Sequence, residues 1–279
     1  MANVFHKARR CLNLLSRGLI GAFLYETRKQ AWSGETSYGL RRDLRQSFTP
    51  PPASIPIATR LFETSDREHF LGPVGIWHRT TTTRTDQVSR EEFIEADIPS
   101  CYVAVTDDGS PCFIQWLLAP TGNNKVQARR QAHFPRVSED EILLEGAFVP
   151  ERHRGKKIMA SAMSQVAEKG RESGARWAIT YVEAWNLPSL RGCLACGFHP
   201  YLIRKVTWRG FARKAECKPI NDEECAQLEA SWQLPLKRPE PKTSTVVWRY
   251  RRPLSAGRPK EGLGLHPDIH YPDYFPYIG

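Results

Sequence analysis

Several features are scarce or missing in this sequence, and each absence narrows the class of protein. No apolar run reaches the length of a membrane span, because the best candidate, residues 12–25, is interrupted by polar, charged and glycine residues. The seven cysteines show no small-domain disulfide spacing, which favours a reducing, cytoplasmic environment. Cys193 and Cys196 have CxxC spacing, but no second pair follows, so we expect no metal site.

The composition is that of a globular protein with an excess of positive charge. Hydrophobic residues at 41% and charged residues at 25% predict a folded core. A formal net charge of +10 favours anionic partners, such as a phosphorylated cofactor, an acidic substrate or a membrane surface. The basic residues are scattered and accompany no RRM, zinc-finger or helix-turn-helix signature, which argues against nucleic acid as the partner.

Proline-rich segments divide the chain into three predicted parts. Residues 1–52 form a basic, amphipathic N-terminal arm that ends in a proline-rich linker. Within the arm, residues 8–25 predict either a helix docked on the main domain or a peripheral contact with a membrane surface. The main domain is expected over residues 53–250. Residues 251–279 are rich in proline and aromatic residues, which predicts an extended tail packed along the domain or, alternatively, a partner-binding peptide.

The order of the predicted elements indicates an α/β fold with a mixed twisted β-sheet and helices on both faces. An Asp-Gly step at Gly109 separates two strand-like segments, as in an antiparallel hairpin. Further along, strand, helix, strand and helix alternate, which is typical of parallel pairing. The predicted strands are 55–61, 102–106, 112–118, 141–149, 177–182, 199–208 and 246–250, and the predicted helices are 67–71, 158–170, 188–196 and 221–232.

The junction between the strand ending at Val149 and the helix starting at Ile158 has the features of a phosphate site. The turn between them is basic and contains one glycine, Arg152-His153-Arg154-Gly155-Lys156-Lys157. N–H groups in the first turn of a helix have no internal acceptors, and the helix dipole attracts an anion to them. Gly155 allows close approach of the backbone. The alternative interpretation is a charged surface turn.

Two segments together resemble the GNAT superfamily of N-acetyltransferases. The family's cofactor loop runs Gln/Arg-x-x-Gly-x-Gly/Ala, and residues 152–157 match it apart from Lys157, which replaces the final glycine or alanine. The family's next strand leads to Asn-x-x-Ala/Ser and a closing Gly-Phe. Asn186, Ser189, Gly197 and Phe198 match this second element without insertion or deletion.

The resemblance implies a GNAT-type fold that binds acetyl-CoA or another acyl-CoA as co-substrate. Backbone groups at two residues would pair with the pantetheine arm like an added strand, residues 154–158 would cradle the pyrophosphate, and Asn186 would help to orient the arm. The parallel strands would splay apart at this point. The expected cofactor-binding residues are Phe148, Val149, Arg152, Arg154, Gly155, Lys156, Lys157, Ile158, Asn186 and Ser189.

Transfer to an amine also requires a group that removes a proton from the nucleophile. Glu141 and Glu145 share one face of a strand, and Glu145 lies four residues before Val149, where similar enzymes often place their base. Either glutamate could instead pair with an arginine. Many family members protonate the leaving thiolate with a tyrosine seven residues after the motif asparagine. This chain has Cys193 there, and we consider it the candidate acid.

The function that these residues favour is acyl-CoA-dependent N-acyltransfer, most simply acetyl transfer, to an amine acceptor. The acceptor could be a small molecule, a peptide or a protein, because variable loops bind it in this fold. Lys157 and Cys193 also suit a catalytically silent CoA-binding sensor or scaffold. The basic apolar arm suits a membrane-surface long-chain acyltransferase.

Overall fold

The computed structural model describes residues 15–16, 20–71, 90–95, 98, 100–123, 137–210, 212–236 and 248–251. Its strands are β1 Trp32–Asp43, β2 Ile57–Leu61, β3 Cys101–Thr106, β4 Pro111–Leu118, β5 Glu141–Phe148, β6 Trp177–Glu183, β7 His199–Arg209, β8 Ala212–Pro219 and β9 Trp248–Arg251. Its helices are α1 Ile20–Ala31, α2 Arg67–Leu71, α3 Ile158–Glu172, α4 Leu187–Ala195 and α5 Asp222–Trp232. Residues 90–95 are also helical.

The strands form one mixed sheet in the order β2-β3-β4-β5-β6-β1-β7-β8-β9. β5 and β6 are parallel and are connected through α3, whereas the other neighbouring strands are antiparallel. Gly109 adopts a φ of +78° in the turn between β3 and β4, as the Asp-Gly step predicts. The predicted α/β class with a mixed sheet is confirmed.

Apolar residues cover both faces of the sheet, as expected for a sheet between helices. On one face, α3 packs so closely on β5 that a Cβ at Gly170 would lie 2.1 Å from Ile142 Cδ1. The opposite face holds a second buried cluster around Trp116 and Leu143, which Phe70 of α2 and Phe93 complete. We call this second face the Trp116 face. It carries Trp116, which pairs with Glu145, and Trp177, which pairs with Glu141.

The predicted boundary after residue 52 needs correction, because β1 lies inside the sheet between β6 and β7. Of the helix predicted within residues 8–25, the structure describes 15–16 and 20–25 as helical, and α1 continues to Ala31. The residues after α1 are central rather than peripheral. The sequence pattern does not reveal β1, because this strand has few apolar residues and buries arginines instead. Arg42 is 4% exposed and donates to Glu168 of α3 at 2.7 Å, and the guanidinium of Arg41 lies 4.4 Å from the Trp177 ring.

The remaining elements agree with the sequence in part. α5 begins with a capping box between Asn221 and Glu224, at the predicted start of the helix. β8 was not predicted. Within 119–138, residues 120–122 form a 3₁₀ turn, and residues 124–136 lie outside the described residues. The prediction of an extended tail also concerns residues outside the described ones, apart from Arg251. Within the described segments, every helix is too short or too polar to cross a bilayer.

Candidate active site

A wedge opens where the parallel strands β5 and β6 separate. They pair at three positions, from Glu141 with Trp177 to Leu143 with Ile179. Beyond these pairs, β5 continues along β4 alone and β6 along β1 alone. The expected splay between the two strands is therefore present. It leaves the facing backbone edges of residues 145–148 and 180–183 available to a ligand.

A β-bulge in β5 directs this opening. The register with β4 shifts between the pairs Ile114 with Phe148 and Trp116 with Glu145, so β5 carries an extra residue. Gly146 adopts a φ of +67°, and a Cβ there would lie 2.9 Å from Trp116 Cε3. Only glycine fits this position without strain or displacement of the indole. Residues 146–147 are exposed and lie beyond the last β5–β6 pair, where the wedge opens.

The turn between β5 and α3 presents a continuous row of backbone donors. Gly155 has a φ of +77° and Lys157 a φ of +56°, so two left-handed residues alternate with others. The N–H groups of residues 155–160 have no acceptor among the described residues, and the first bonded amide is Ser161, which donates to the Lys157 carbonyl at 3.3 Å. Such alternation points successive N–H groups towards one side and forms an anion-binding concavity. The predicted phosphate-binding turn therefore has suitable geometry.

The positive side chains of this turn differ in their engagement. Arg152 contacts His153 Nε2 at 3.0 Å and His69 Nδ1 at 3.1 Å, which ties the turn to α2. Burial, assisted by the charges of Arg152 and Lys156, lowers the pKa of His153 below its usual value. Lys156 and Lys157 have no ion-pair partner in the described part of the chain. The turn is therefore electropositive.

Arg154 modifies the expected role of the strand end. Its Nε donates to the Val149 carbonyl at 3.3 Å, so this acceptor is already used by the chain itself. The ring of Phe148 is stacked by Arg90, with 3.8 Å from the guanidinium carbon to the ring centroid. A ligand that pairs at the Val149 carbonyl would either share this oxygen with Arg154 or displace the exposed Arg154 side chain. Such a rearrangement would also free its guanidinium for a phosphate.

Asn186 and Ser189 lie at the start of α4, which follows β6 on the other side of the wedge. The Asn186 Oδ1 atom accepts a hydrogen bond from the Ser189 N–H at 3.3 Å and caps the helix. Its Nδ2 group has no acceptor among the described residues and remains a potential donor. The motif asparagine and serine are thus placed together, as a helix cap beside the wedge.

The two candidate bases are separated by their surroundings. Glu141 is 7% exposed, accepts a hydrogen bond from Ser138 Oγ at 2.7 Å and lies where β5 and β6 are still paired. Glu145 is half-buried, pairs across the ladder with Trp116 and lies beyond the last β5–β6 pair. Directly opposed residues point to the same side of a sheet, so Glu145 stands on the Trp116 face at the mouth of the wedge. Of the two glutamates, only Glu145 lies beyond the last β5–β6 pair, where the wedge opens.

Cys193 is not positioned as an exposed acid. It is 1% exposed and packs in the core cluster that contains α3. Burial raises the pKa of its thiol well above the usual value, and it raises that of the neighbouring Cys196 to about 12. Leu190 and Cys193 lie three residues apart on the buried face of α4. This spacing is typical of packing residues, whereas the comparison with the family motif assigned Cys193 to catalysis.

Tyr181 is a residue of the wedge that no sequence motif indicates. It lies two residues beyond Ile179, the last β6 residue paired with β5, and therefore faces the same side as Glu145. Its hydroxyl is hydrogen bonded with that of Tyr201, and burial raises the pKa of Tyr181 above its usual value. A predicted parallel register of residues 141–143 with 177–179 would have placed Tyr181 level with Glu145.

Comparison with known proteins gives similarity in fold only. No protein-family model matches the sequence, and no curated protein is significantly similar to it. Among solved structures, a GCN5-related N-acetyltransferase from Sphaerobacter thermophilus is 16% identical, with a TM-score of 0.37, over 67% of this chain and 56% of that one. A GNAT-family acetyltransferase from Colwellia psychrerythraea is 12% identical, with a TM-score of 0.41, over 64% and 57% of the two chains.

A third similar structure is the GCN5-related glucosamine N-acetyltransferase region of a fungal multi-domain GH3 β-N-acetylglucosaminidase. It is 12% identical, with a TM-score of 0.44, over 66% of this chain and 22% of that one. Because this chain spans little more than half the length of the first two and every TM-score is below 0.5, the assignment of the site rests on the chain's own geometry.

Proposed function

We propose that this protein is an acyl-CoA-dependent N-acyltransferase that uses acetyl-CoA and acetylates an amine. The observation that carries the proposal is the row of unpaired N–H groups at residues 155–160, next to the wedge between two parallel strands. A pyrophosphate matches the row because helix N-terminal amides bind anions without a change in protonation. A pantetheine arm matches the wedge because its amides can pair with strand edges.

In the proposed reaction, the acceptor amine attacks the thioester carbonyl at the mouth of the wedge. A C–N bond forms, the C–S bond breaks, and the proton of the amine passes to the Glu145 carboxylate. The exposed backbone at the β5 bulge, residues 146–147, is suited to stabilise the oxyanion through its N–H groups. Since Cys193 is buried, we expect the coenzyme A thiolate to leave without a proton from it and to be protonated by water.

A CoA-binding module without turnover is the second candidate, and the burial of Cys193 is the observation that favours it. Both functions require the cofactor to bind, but only the enzyme consumes it. A membrane-surface role for the arm is a separate proposal. It is motivated by α1, on which Ile20 and Leu24 are each 59% exposed, and liposome co-sedimentation would test it.

Calorimetry with acetyl-CoA, followed by measurement of CoA release with a panel of amines, tests the proposal. We expect binding by the wild-type chain and acetylated product detectable by mass spectrometry. Acetylpantetheine, which keeps the thioester and the pantetheine arm but lacks the pyrophosphate and the adenosine 3′-phosphate, is the control ligand and should bind much more weakly. Binding without product with any amine would favour the silent module. Absence of binding would refute both candidates, because each depends on the same row of donors.

A further inference from the structure

Arg204 of β7 is held in place on the Trp116 face with part of its hydrogen-bonding capacity unused. Its Nε donates to Ser37 Oγ at 2.8 Å, and Ser37 itself is 4% exposed. Its guanidinium carbon lies 4.5 Å from the centroid of the Tyr181 ring. The two Nη groups have no acceptor among the described residues. The side chain is therefore oriented, while its terminal donors remain available.

The Tyr181 ring, which forms the surface beneath Arg204, connects this side chain to the wedge. Tyr181 lies under the guanidinium and shares the face on which Glu145 stands. Gly39 of β1 makes this surface possible, because a Cβ there would be 2.7 Å from Leu202 Cγ and 3.1 Å from Tyr181 Cε1. The hydrogen bond from Tyr201 fixes the Tyr181 hydroxyl. On this face, Tyr181 of β6 therefore lies between Glu145 of β5 and Arg204 of β7 in the strand order of the sheet.

The charges at the two ends suit a ligand that carries both signs. Glu145 attracts an ammonium group and then accepts its proton, whereas the fork of Arg204 matches a carboxylate through paired N–H donors. Glu183 lies in register with Ser37 and forms no ion pair with Arg204, so it does not occupy the guanidinium. Arg41, which stacks on Trp177 and Tyr201, adds positive charge on the same face.

We propose that Arg204 determines acceptor specificity by binding a carboxylate, so that the acceptors are amino acids or other amino-carboxylates. This inference rests on the proposed acyltransfer, and it goes further by naming the acceptor class. Ser37 and Tyr181 are positioning residues for Arg204. The amine of the acceptor lies towards Glu145, and its carboxylate accepts hydrogen bonds from the two Nη groups of Arg204.

Three pairs of amines, compared at equal concentrations of free amine, test the inference: glycine and glycinamide, β-alanine and β-alaninamide, and 4-aminobutanoate and 4-aminobutanamide. Wild-type protein should prefer the acid of at least one pair by about 10-fold or more in kcat/KM, since a bidentate charged hydrogen bond has this magnitude. Arg204→Gln should lose that preference through the acid alone, with kcat/KM for the amide within about threefold of wild type.

Lys205→Gln is the matched control, because it removes the same charge from the next residue of β7, which is exposed and faces the opposite side. It should keep the preference, and Arg204→Lys should restore it only in part. The inference is overturned if the acid and amide of every pair react equally, if Arg204→Gln keeps the preference, or if a chain that binds acetyl-CoA acetylates no amine of the panel. Loss of acetyl-CoA binding in the wild-type chain would instead refute the proposed function.

Discussion

Replacement of Gly155 by alanine tests two roles of this residue: it adopts a left-handed backbone conformation, and its lack of a side chain leaves the N–H groups of the turn accessible to a phosphate. With a φ of +77°, an alanine there incurs the cost of the left-handed region, about 1–2 kcal/mol, partly offset by the lower entropy of its unfolded chain. A Cβ at this position meets nothing within 4 Å, so no clash adds to the cost. We expect a net loss of about 1 kcal/mol in the free energy of unfolding and a fall in Tm of about 2–4 °C.

The new methyl group would project into the space in which a phosphate must approach the N–H groups. Loss of one hydrogen bond to a charged group costs about 1.5–3 kcal/mol, which corresponds to an increase of about 10- to 100-fold in the Kd for CoA. Gly174→Ala is the matched control. Gly174 has a φ of +93°, and a Cβ there would also meet nothing within 4 Å, but it lies after the opposite end of α3.

Thermal unfolding and calorimetry with CoA, performed on both variants, measure the two effects separately. Both variants should lose similar stability, and only Gly155→Ala should lose affinity. An unchanged Kd in Gly155→Ala would refute the placement of the phosphates on this turn. Equal losses of affinity in both variants would show that backbone strain, rather than access to the donors, accounts for the effect.

Three further predictions follow from the same structure. Glu145→Gln should lower kcat by about 10²- to 10⁴-fold with little change in CoA affinity, whereas Glu141→Gln should reduce the midpoint of urea unfolding and leave the turnover of folded protein nearly unchanged. Lys157→Gly should be about 1 kcal/mol more stable in urea unfolding than Lys157→Ala, because only glycine avoids the cost of the φ of +56°. Both variants should bind CoA equally, since they lose the same charge. A higher stability of Lys157→Ala would contradict this prediction. Burial alone would raise the pKa of Asp66, but hydrogen bonds from Arg60 and the Glu63 N–H outweigh it and lower the pKa below its usual value. Because the folded-state pKa is the lower one, this stabilisation is present above the unfolded-state pKa of about 4 and is lost as the pH falls below it. Asp66→Asn should therefore cost about 1–2 kcal/mol at pH 7, discounted for the 34% exposure of Arg60, and clearly less at pH 3 in urea titrations; an equal cost at both pH values would exclude the charge as its origin.

The sequence was most informative where local pattern and site coincide. The strand, turn and helix around Gly155 were predicted because an apolar strand, a basic glycine turn and a helical stripe follow one another directly. β1 was missed because its buried Arg41 and Arg42 are neutralised or stacked by residues far away in the sequence. β8 was missed for a related reason, because it contains few apolar residues. Among its described side chains, the buried hydrophobic one is that of Cys217.

The candidate site was predicted in its backbone more than in its side chains. The wedge and the turn depend on the strand–turn–helix segment that runs from β5 into α3, and the motifs reveal this segment. Cys193 was assigned to catalysis by its spacing from Asn186, whereas its environment is determined by how α4 packs on α3. Tyr181 and Arg204 come together only because β1 inserts between β6 and β7, and no local pattern contains that information.

The position of β1 has a consequence for how this protein is made. Tyr38 pairs with Val182 on one side and with Ile203 on the other, so the middle of the sheet joins a segment synthesised early to two synthesised much later. During translation both edges of β1 lack their native partners until β6 and β7 have been synthesised. Unpaired strand edges favour association with other chains. Pairings this distant also slow folding, because a long loop must close before they form. We therefore expect the yield of native protein to depend on how far β1 associates with other chains before β6 and β7 are synthesised.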